Sequence, residues 1–246
     1  MKETAILMSG SMVGAALREI DPKTQTRRVL KAHRSDECPA EMWPYALKDI
    51  AEWREQEGRW FGLMGWRTLA YSDCPQGVGG DRLWVRETAK CGFRSEQSPQ
   101  NKGCIGVDYR AGGSLMRDYA LDRRGDYPWF PSRSHNLDGS TRWTPAIHMP
   151  RWASRIQLEV EDVRVERVQE ITEADAIAEG VEQLGANPVY WRNYETDTFG
   201  PGCIDYTCLS ARESFRTLWN SLNETRGSGW DVNPWVWVIQ FKRIVP

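Results

Sequence analysis

The sequence has no closely paired cysteines, no long apolar run and no large excess of charge of either sign. Its six cysteines are far apart and no Cys-x-x-Cys occurs, so we expect reduced thiols rather than a disulfide framework. No apolar run reaches the length of about 18 residues that a membrane helix needs. The N-terminus carries no charged-then-apolar leader either, so we expect a cytoplasmic protein with no membrane partner.

The near-neutral charge excludes one class of nucleic-acid-binding protein. A formal net charge of -2 and an isoelectric point near 6.0 do not suit a protein that coats nucleic acid indiscriminately, because such binding needs a broadly basic surface. A local basic patch remains compatible with this composition. Between positions 23 and 34 the chain carries five cations and no carboxylate: Lys23, Arg27, Arg28, Lys31 and Arg34.

The chain is rich in apolar and aromatic residues. Its 246 residues are 40% hydrophobic, which is enough for a substantial core, and we interpret residues 1–246 as a single domain. The 13 tryptophans are scattered without a repeat period. Tryptophan combines a large apolar area with one donor, so we assign most of them to packing and a minority to stacking on bases or sugars.

The most informative segment is the run from Asp21 to Arg28, which reads DPKTQTRR. Nothing in this run is apolar, and Pro22 fixes the backbone where it begins. We expect its side chains to meet an anionic or polar ligand. The competing interpretation is a solvated basic turn that closes a helix, where cations complement the carbonyl end of the helix dipole.

Local patterns predict the elements around this run. A short apolar segment from Thr4 to Met8 predicts a strand, and helical spacing from Met12 to Ile20 predicts a helix that Pro22 ends. A Gly-Asp turn predicts a strand at Leu83–Val85, and another is predicted at Cys104–Tyr109.

Two helices and two strands are predicted in the second half. Apolar alternation changes parity near Glu161-Asp162, which predicts a β-bulge or a tight turn. Thr172 and Ser210 each have a helix N-cap pattern, and Gly180 ends the first of these helices. The predicted core-facing stripe of the second helix is Phe215, Leu218, Trp219 and Leu222. The final strand, Trp235 to Phe241, is apolar on both faces and is therefore predicted to be central.

Two segments, at about 32–78 and about 110–150, lack clear periodicity and are interpreted as long loop-rich insertions. Such segments in a compact domain either bind something or fold as a subdomain.

A metal is not required by any motif. Cys203 and Cys208, separated by four intervening residues in a Gly/Pro-rich loop, can still join Cys38, Cys74 or His33 around zinc, and the sequence leaves this alternative open.

The order of these elements and motifs resembles the ASCH domain family, a branch of the PUA-like superfamily. The family signature is close to G-x-K-x-x-[TE]-x-R, and Lys23, Thr26 and Arg28 stand at its polar positions, whereas Asp21 replaces the leading glycine. The Gly80-Asp81 turn and the closing strand are also similar. Larger uncharacterised phage and prophage proteins share the KTQTRR and GDRLWVRE phrases. The resemblance implies an α+β fold with a PUA-like β-barrel and short flanking helices.

Some small members of the family are amidohydrolases that remove the acetyl group from N4-acetylcytidine. The resemblance implies that Lys23, Thr26 and Glu179 are the matching catalytic residues here, without a cofactor or a metal. A threonine hydroxyl needs a nearby base and an oxyanion donor to attack an amide, and Lys23 and Glu179 can divide these tasks.

The resemblance equally fits a module that binds RNA or a modified nucleobase. In this hypothesis Lys23, Thr26 and Arg28 form the pocket, and Thr24 and Arg27 are supporting or phosphate-facing neighbours. Asp81 and Glu87 are further candidate ligand-binding residues.

Two other interpretations stay open. Lys23 and Glu179 can form an ordinary salt bridge that ties the motif to a helix. The tryptophan-rich insertions can instead bind a host protein.

Overall fold

A computed structural model of the chain describes residues 1–94, 104–118, 143–185, 189–196 and 207–244. Most regular structure in these ranges is β-sheet, with few helices, so the α+β class is confirmed. The strands are β1 Glu3–Leu7, β2 Gln25–Val29, β3 His33–Arg34, β4 Glu52–Gln56, β5 Arg59–Met64, β6 Arg67–Ser72, β7 Arg82–Arg86, β8 Ala89–Arg94, β9 Cys104–Tyr109, β10 Ser114–Asp118, β11 Gln157–Arg167, β12 Trp191–Arg192, β13 Thr207–Cys208 and β14 Trp235–Ile244. The α-helices are α1 Gly10–Ala16, α2 Trp43–Asp49, α3 Glu173–Ala178 and α4 Ala211–Asn223.

The central sheet has five strands in the order β1-β7-β11-β14-β2. Strands β1 and β7 are parallel, and the other neighbours are antiparallel. The predicted bulge is confirmed, because the register of β11 against β14 shifts between Val160 and Asp162. Strand β14 lies between β11 and β2, as its apolar faces predict. Trp237 and Ile239 on one face and Val238 on the other are almost completely buried.

One of the two interpretations of the polar run was a solvated basic turn, and this interpretation is wrong for its second half. Gln25–Val29 form strand β2, which pairs with β14 so that Thr26 lies opposite Ile239. The first residue of the run, Asp21, has φ 48°, a backbone conformation that favours glycine. The chain therefore adopts a left-handed conformation at this position, although aspartate rather than glycine occupies it.

The two edges of the central sheet approach each other at one point. The Arg28 Nη2 of β2 donates to the Leu7 carbonyl oxygen of β1 over 2.6 Å, although these strands occupy opposite edges of the sheet. The sheet must curve strongly to allow this contact. Within the described ranges β1 and β2 do not pair as strands, so this side-chain contact is what joins the two edges.

The first predicted insertion is a folded subdomain rather than a loop. It contains α2 and a four-stranded antiparallel sheet in the order β3-β6-β5-β4. Two edge-to-face tryptophan contacts dock it on the central sheet: Trp60 on Trp237 with centroids 5.8 Å apart, and Trp53 on Trp235 at 6.4 Å. The prediction missed these strands because their outward residues are a mixture of charged and aromatic types, and a bulge near Gly62 breaks the alternation.

The second predicted insertion lies largely outside the described residues, which omit 119–142. Its described start includes β10, which pairs with β9, and β9 in turn pairs with β8 to give a three-stranded sheet.

Both helix caps predicted in the second half are confirmed. The Thr172 side chain accepts from the Asp175 backbone N–H at the start of α3, and that of Ser210 accepts from the Glu213 N–H at the start of α4. Leu222 is an exception to the predicted core stripe of α4, since it is 41% exposed. Of the helices in the described ranges, none has the length and apolar character to span a membrane.

Candidate functional site

Lys23 and Glu179 meet in the interior. Lys23 precedes β2, and Glu179 ends α3 and is followed by Gly180, whose φ of 85° turns the chain away. The Lys23 Nζ lies 2.8 Å from Glu179 Oε2 and also donates to the Glu179 carbonyl oxygen over 2.6 Å. Only 1% of the Lys23 side chain and 4% of that of Glu179 are exposed. The lysine is thus held by two oxygens of a single residue and is closed to solvent.

This pair belongs to a larger ion network of three cations and three carboxylates, in which Lys23, Arg27 and Glu179 are buried and the other three members are partly exposed. Arg27, whose side chain is 0% exposed, pairs with Glu179 at 3.2 Å, with Asp175 at 3.6 Å and with Glu166. Arg164 pairs with Glu166 and Asp175, both at 3.1 Å. The members of the ion network are Lys23, Arg27, Arg164, Glu166, Asp175 and Glu179. Their formal charges cancel, so neither Lys23 nor Arg27 adds to the positive surface patch expected from the sequence.

Burial and charge pairing shift the pKa values in this network. Burial lowers the pKa of Lys23, and the adjacent Glu179 carboxylate opposes this shift without reversing it. For Asp175, burial acts to raise the pKa, but the Thr172 hydroxyl and the Arg27 guanidinium outweigh it and hold the pKa below its ordinary value. The network therefore holds its charges through mutual pairing, since isolated charges at this depth would be very unfavourable.

Thr26 does not join this network. Successive side chains of a strand point to opposite faces, so Arg27 faces α3 whereas Thr26 and Arg28 face the other side of the sheet. Thr26 is buried opposite Ile239, and no hydrogen bond connects it to Lys23 or Glu179 among the described residues. Of the three proposed catalytic residues, Lys23 and Glu179 are therefore in contact. The proposed nucleophile, Thr26, lies on the opposite face of the sheet.

Arg28 differs from Arg27 in having no carboxylate partner within the described ranges. Its guanidinium is half-buried and donates to two backbone oxygens, those of Leu7 and Arg27. Burial lowers its pKa from the ordinary arginine value, with Glu179 opposing the shift. A guanidinium has five N–H donors, so Arg28 retains donors for another acceptor.

Asp81 has a structural role in the turn before β7. Its carboxylate accepts from the backbone N–H of Lys2 over 2.5 Å and from that of Val78 over 3.2 Å. These backbone donors lower the pKa of Asp81, although its partial desolvation opposes the shift. Both carboxylate oxygens of Asp81 therefore help to fix this turn.

Glu87 is also engaged internally. It is 2% exposed and forms a bidentate ion pair with Arg155, with N–O distances of 2.8 and 2.9 Å. The Arg155 guanidinium lies 4.0 Å from the centroid of the Tyr109 ring, so the pair is covered by an aromatic side chain. This geometry ties β7 to the sheet that contains β9.

The accessible cations near Arg28 were missed in the sequence. Arg86, the register partner of Leu7, lies 4.7 Å from the centroid of the Trp84 ring, and Arg151 approaches the same ring at 5.8 Å. Arg151 also pairs with Glu3 at 2.5 Å. Trp84, Arg86 and Arg151 are named here the β7 surface. The alternation of Arg82, Trp84 and Arg86 along one strand was the available signal, because such residues share a face.

Cysteine and histidine residues form no metal centre in the part of the chain that the structure describes. Cys38, Cys74 and Cys208 are free and buried, and burial raises the pKa of the Cys74 and Cys208 thiols to about 11. Cys203, the proposed partner of Cys208, lies outside the described residues. The described geometry thus gives no support to a zinc site.

These observations define a mostly β, α+β protein with a closed ion network on one face of its central sheet and accessible arginines near the sheet edge. No family model, curated protein or solved structure matches the chain.

Proposed function

We propose that the chain is an ASCH-type, PUA-like β-barrel module that binds single-stranded RNA or a modified nucleobase. The cations of the motif that carries the resemblance have two different roles in this proposal. Lys23 and Arg27 stabilise the fold from inside the ion network, and Arg28 is the ligand-binding residue.

The observation that carries this proposal is the environment of Arg28. It is a half-buried cation that has backbone oxygens as partners and no carboxylate in the described ranges. Partial burial of an arginine that no carboxylate contacts directly is unfavourable, and the Glu179 carboxylate offsets this cost only in part, since the pKa of Arg28 stays lowered. A phosphate or a base carbonyl that accepts from its free N–H groups would relieve this cost, and the planar fork of guanidinium suits both acceptors.

The surroundings of Arg28 support a nucleic-acid ligand. Thr24, four residues earlier on the same chain segment, is exposed and adds a hydroxyl. The β7 surface is adjacent through the register of Leu7 and Arg86, and it presents two arginines against the single carboxylate of Glu3. A local excess of cations on a protein of net charge -2 favours a restricted binding site over general coating of nucleic acid.

The curvature of the central sheet supports the barrel part of the proposal. In a barrel the first and last strands of a sheet meet, and here the edge strands β1 and β2 are joined by the Arg28–Leu7 hydrogen bond. Arg28 therefore lies where the two edges of such a barrel would close. A ligand at that point would contact both edges.

Fluorescence anisotropy with a labelled single-stranded RNA tests the proposal. We expect affinity that falls with added salt, and a loss of about tenfold or more on Arg28→Gln, since a good bidentate arginine contact contributes about 1–3 kcal/mol. Arg216→Gln is the matched control, because Arg216 is an exposed arginine of α4 whose nearest carboxylate is 3.9 Å away. Equal affinity of the two variants, or binding that does not respond to salt, would contradict the proposal.

Amidohydrolase activity is a second candidate that one observation favours. Lys23 and Glu179, the residues implied as base and partner, are in direct contact, and the pKa of Lys23 is lowered by burial. Catalysis would require the ion pair to open and Thr26 to approach from the other face. The assay is release of cytidine and acetate from N4-acetylcytidine, free or within an oligonucleotide. Release above a buffer control that Thr26→Val abolishes would support hydrolysis, and no release would exclude it.

A further inference from the structure

Three aromatic rings and one guanidinium form a row on the outer face of the sheet of the first insertion. Register pairs His33 with Tyr71, Tyr71 with Phe61, and Phe61 with Arg54, across all four strands. The opposite face carries Trp53 and Trp60 and packs on the central sheet. His33 and Arg54 are exposed, and Tyr71 and Phe61 are half-buried, so the row lies at the surface.

A cavity of about 500 Å³ lies beside Phe61, at the end of the β4–β5 hairpin. Its lining residues are Gln56, Glu57, Gly58, Arg59, Phe61 and Asp73. Arg59 and Asp73 form one wall as a bidentate pair, with N–O distances of 2.8 and 3.0 Å, and the guanidinium lies 5.2 Å from the centroid of the Tyr71 ring. The cavity therefore has a phenyl ring on one side and fixed polar groups around it.

The charge of this cavity is negative. Arg59 and Asp73 neutralise each other, so the remaining charge is that of the Glu57 carboxylate. Within the described ranges Glu57 forms no ion pair and no side-chain hydrogen bond, whereas its neighbour Glu55 accepts from the Gly58 N–H over 2.5 Å. A carboxylate next to an aromatic ring is suited to a cation, which can pair with the former and lie over the latter.

Glu57 also occupies an unfavourable backbone position. The hairpin turn consists of Glu57 at φ 53° and Gly58 at φ 83°, a pattern that strongly prefers Asn-Gly. An asparagine would therefore suit the backbone better than the glutamate found here. The position of this carboxylate at the cavity is consistent with a role in binding rather than in forming the turn.

We propose that this outer face binds a basic peptide segment of a partner protein, with an arginine or lysine side chain entering the cavity between Glu57 and Phe61. Charge complementarity favours a cationic occupant and disfavours nucleic acid, whose phosphates would meet the Glu57 carboxylate. The rings extend from Phe61 across two further strands, which are roughly 5 Å apart, so the surface is longer than one small cation. An extended peptide can place one side chain in the cavity and others along the row. This inference does not depend on RNA binding at Arg28.

Binding of a short, labelled, arginine-rich peptide, measured by fluorescence anisotropy on the full chain, tests the proposal. The matched probe is the same peptide with citrulline in place of arginine, which keeps the shape and removes the charge. We expect salt-sensitive binding of the arginine peptide and at least about fivefold weaker binding of the citrulline peptide, as expected for a combined ion pair and cation–π contact.

Variants locate the site and separate binding from folding. Glu57→Asn should weaken peptide binding about fivefold or more while raising the melting temperature, because asparagine suits the turn. Phe61→Leu should weaken binding through loss of the ring, and Glu41→Gln, at an exposed carboxylate elsewhere in the insertion, should leave binding unchanged. Equal effects of Glu57→Asn and Glu41→Gln would overturn the proposal. Free agmatine carries the guanidinium group without a peptide. If it displaces the labelled peptide completely and binds as tightly as the peptide does, a peptide is not the preferred ligand of this site.

Discussion

The Lys23 Nζ and Glu179 Oε2 atoms lie 2.8 Å apart, with 1% and 4% of their side chains exposed. The contact joins a segment before β2 to the end of α3, which are more than 150 residues apart in the chain. The sequence motif that most resembles a ligand-binding signature therefore contributes its lysine to the interior of the fold. This separates the stabilising part of the motif from Arg28, the part we propose to bind ligand.

Removing one partner of this pair should destabilise the protein strongly. Lys23→Met leaves the Glu179 carboxylate buried with Arg27 as its remaining cation, and we expect a loss of about 3–5 kcal/mol in the free energy of unfolding. Urea denaturation measures it. The control is Lys242→Met, which breaks an exposed pair with Glu159 at 3.1 Å and should cost less than about 1 kcal/mol. Similar losses in the two variants would show that the ion network does not stabilise the fold.

Gly180 should tolerate no side chain. It has φ 85°, and an added Cβ would lie 2.7 Å from the Ala15 Cβ and 3.0 Å from the Lys23 Cβ. Gly180→Ala should therefore destabilise by more than the roughly 1 kcal/mol of backbone strain alone, and it should displace Lys23. Gly227→Ala is matched, since Gly227 has φ 74° with open space around it, so only the strain remains. Thermal unfolding of both variants compares the two costs, and equal costs would contradict the close packing.

The Asp81 carboxylate should make stability depend on pH in the acid range. Its pKa in the folded protein is lowered by the Lys2 and Val78 backbone donors, so its stabilising effect is present above the unfolded value, near 3.8, and is lost as pH falls through the folded pKa. Asp81→Asn should be less stable than wild type at neutral pH. The difference should shrink as pH falls below 3.8. Urea titrations at several pH values measure this difference, and one that stays constant would exclude the linkage.

The insertion should couple to the central sheet through its tryptophans. The Trp60 and Trp237 rings meet edge to face at 5.8 Å, so a double-mutant cycle with Trp60→Leu and Trp237→Leu should give a coupling energy of about 0.5–1.5 kcal/mol. Trp60→Leu combined with Trp230→Leu is the control and should be additive within about 0.5 kcal/mol, because these rings are not in contact. Additivity in both cycles would indicate that the insertion folds without this docking contact.

Local signals predicted the elements whose residues act on near neighbours. Thr172 and Ser210 cap helices through groups three residues away, and the change of parity near Glu161 marks a bulge within one strand. The apolar faces of β14 predicted its central position. Strand β2 and the strands of the first insertion were missed, because polar or charged side chains hide their pattern.

The candidate site shows the same division. Lys23, Glu179, Arg27 and Arg28 were recognised in the sequence, but the side of the sheet that each one faces was not. Arg27 and Arg28 face opposite sides of the sheet because they are consecutive residues of strand β2. Arg27 therefore faces α3, whereas Arg28 contacts Leu7 at the sheet edge. The cavity beside Phe61 was not predicted at all, because it depends on a cross-strand register that no local pattern encodes.

By itself, the sequence determined the α+β class, the helix caps, the bulge and the presence of the polar DPKTQTRR motif, since each depends on residue types at short spacing. Only the tertiary structure decided what that motif's charges do. Pairing of β2 with β14 and packing of α3 enclose Lys23 and Arg27 with three carboxylates and leave Arg28 without one. The reason is physical: the same cation is a buried structural group or an available ligand-binding group according to the carboxylates that distant parts of the chain bring to it.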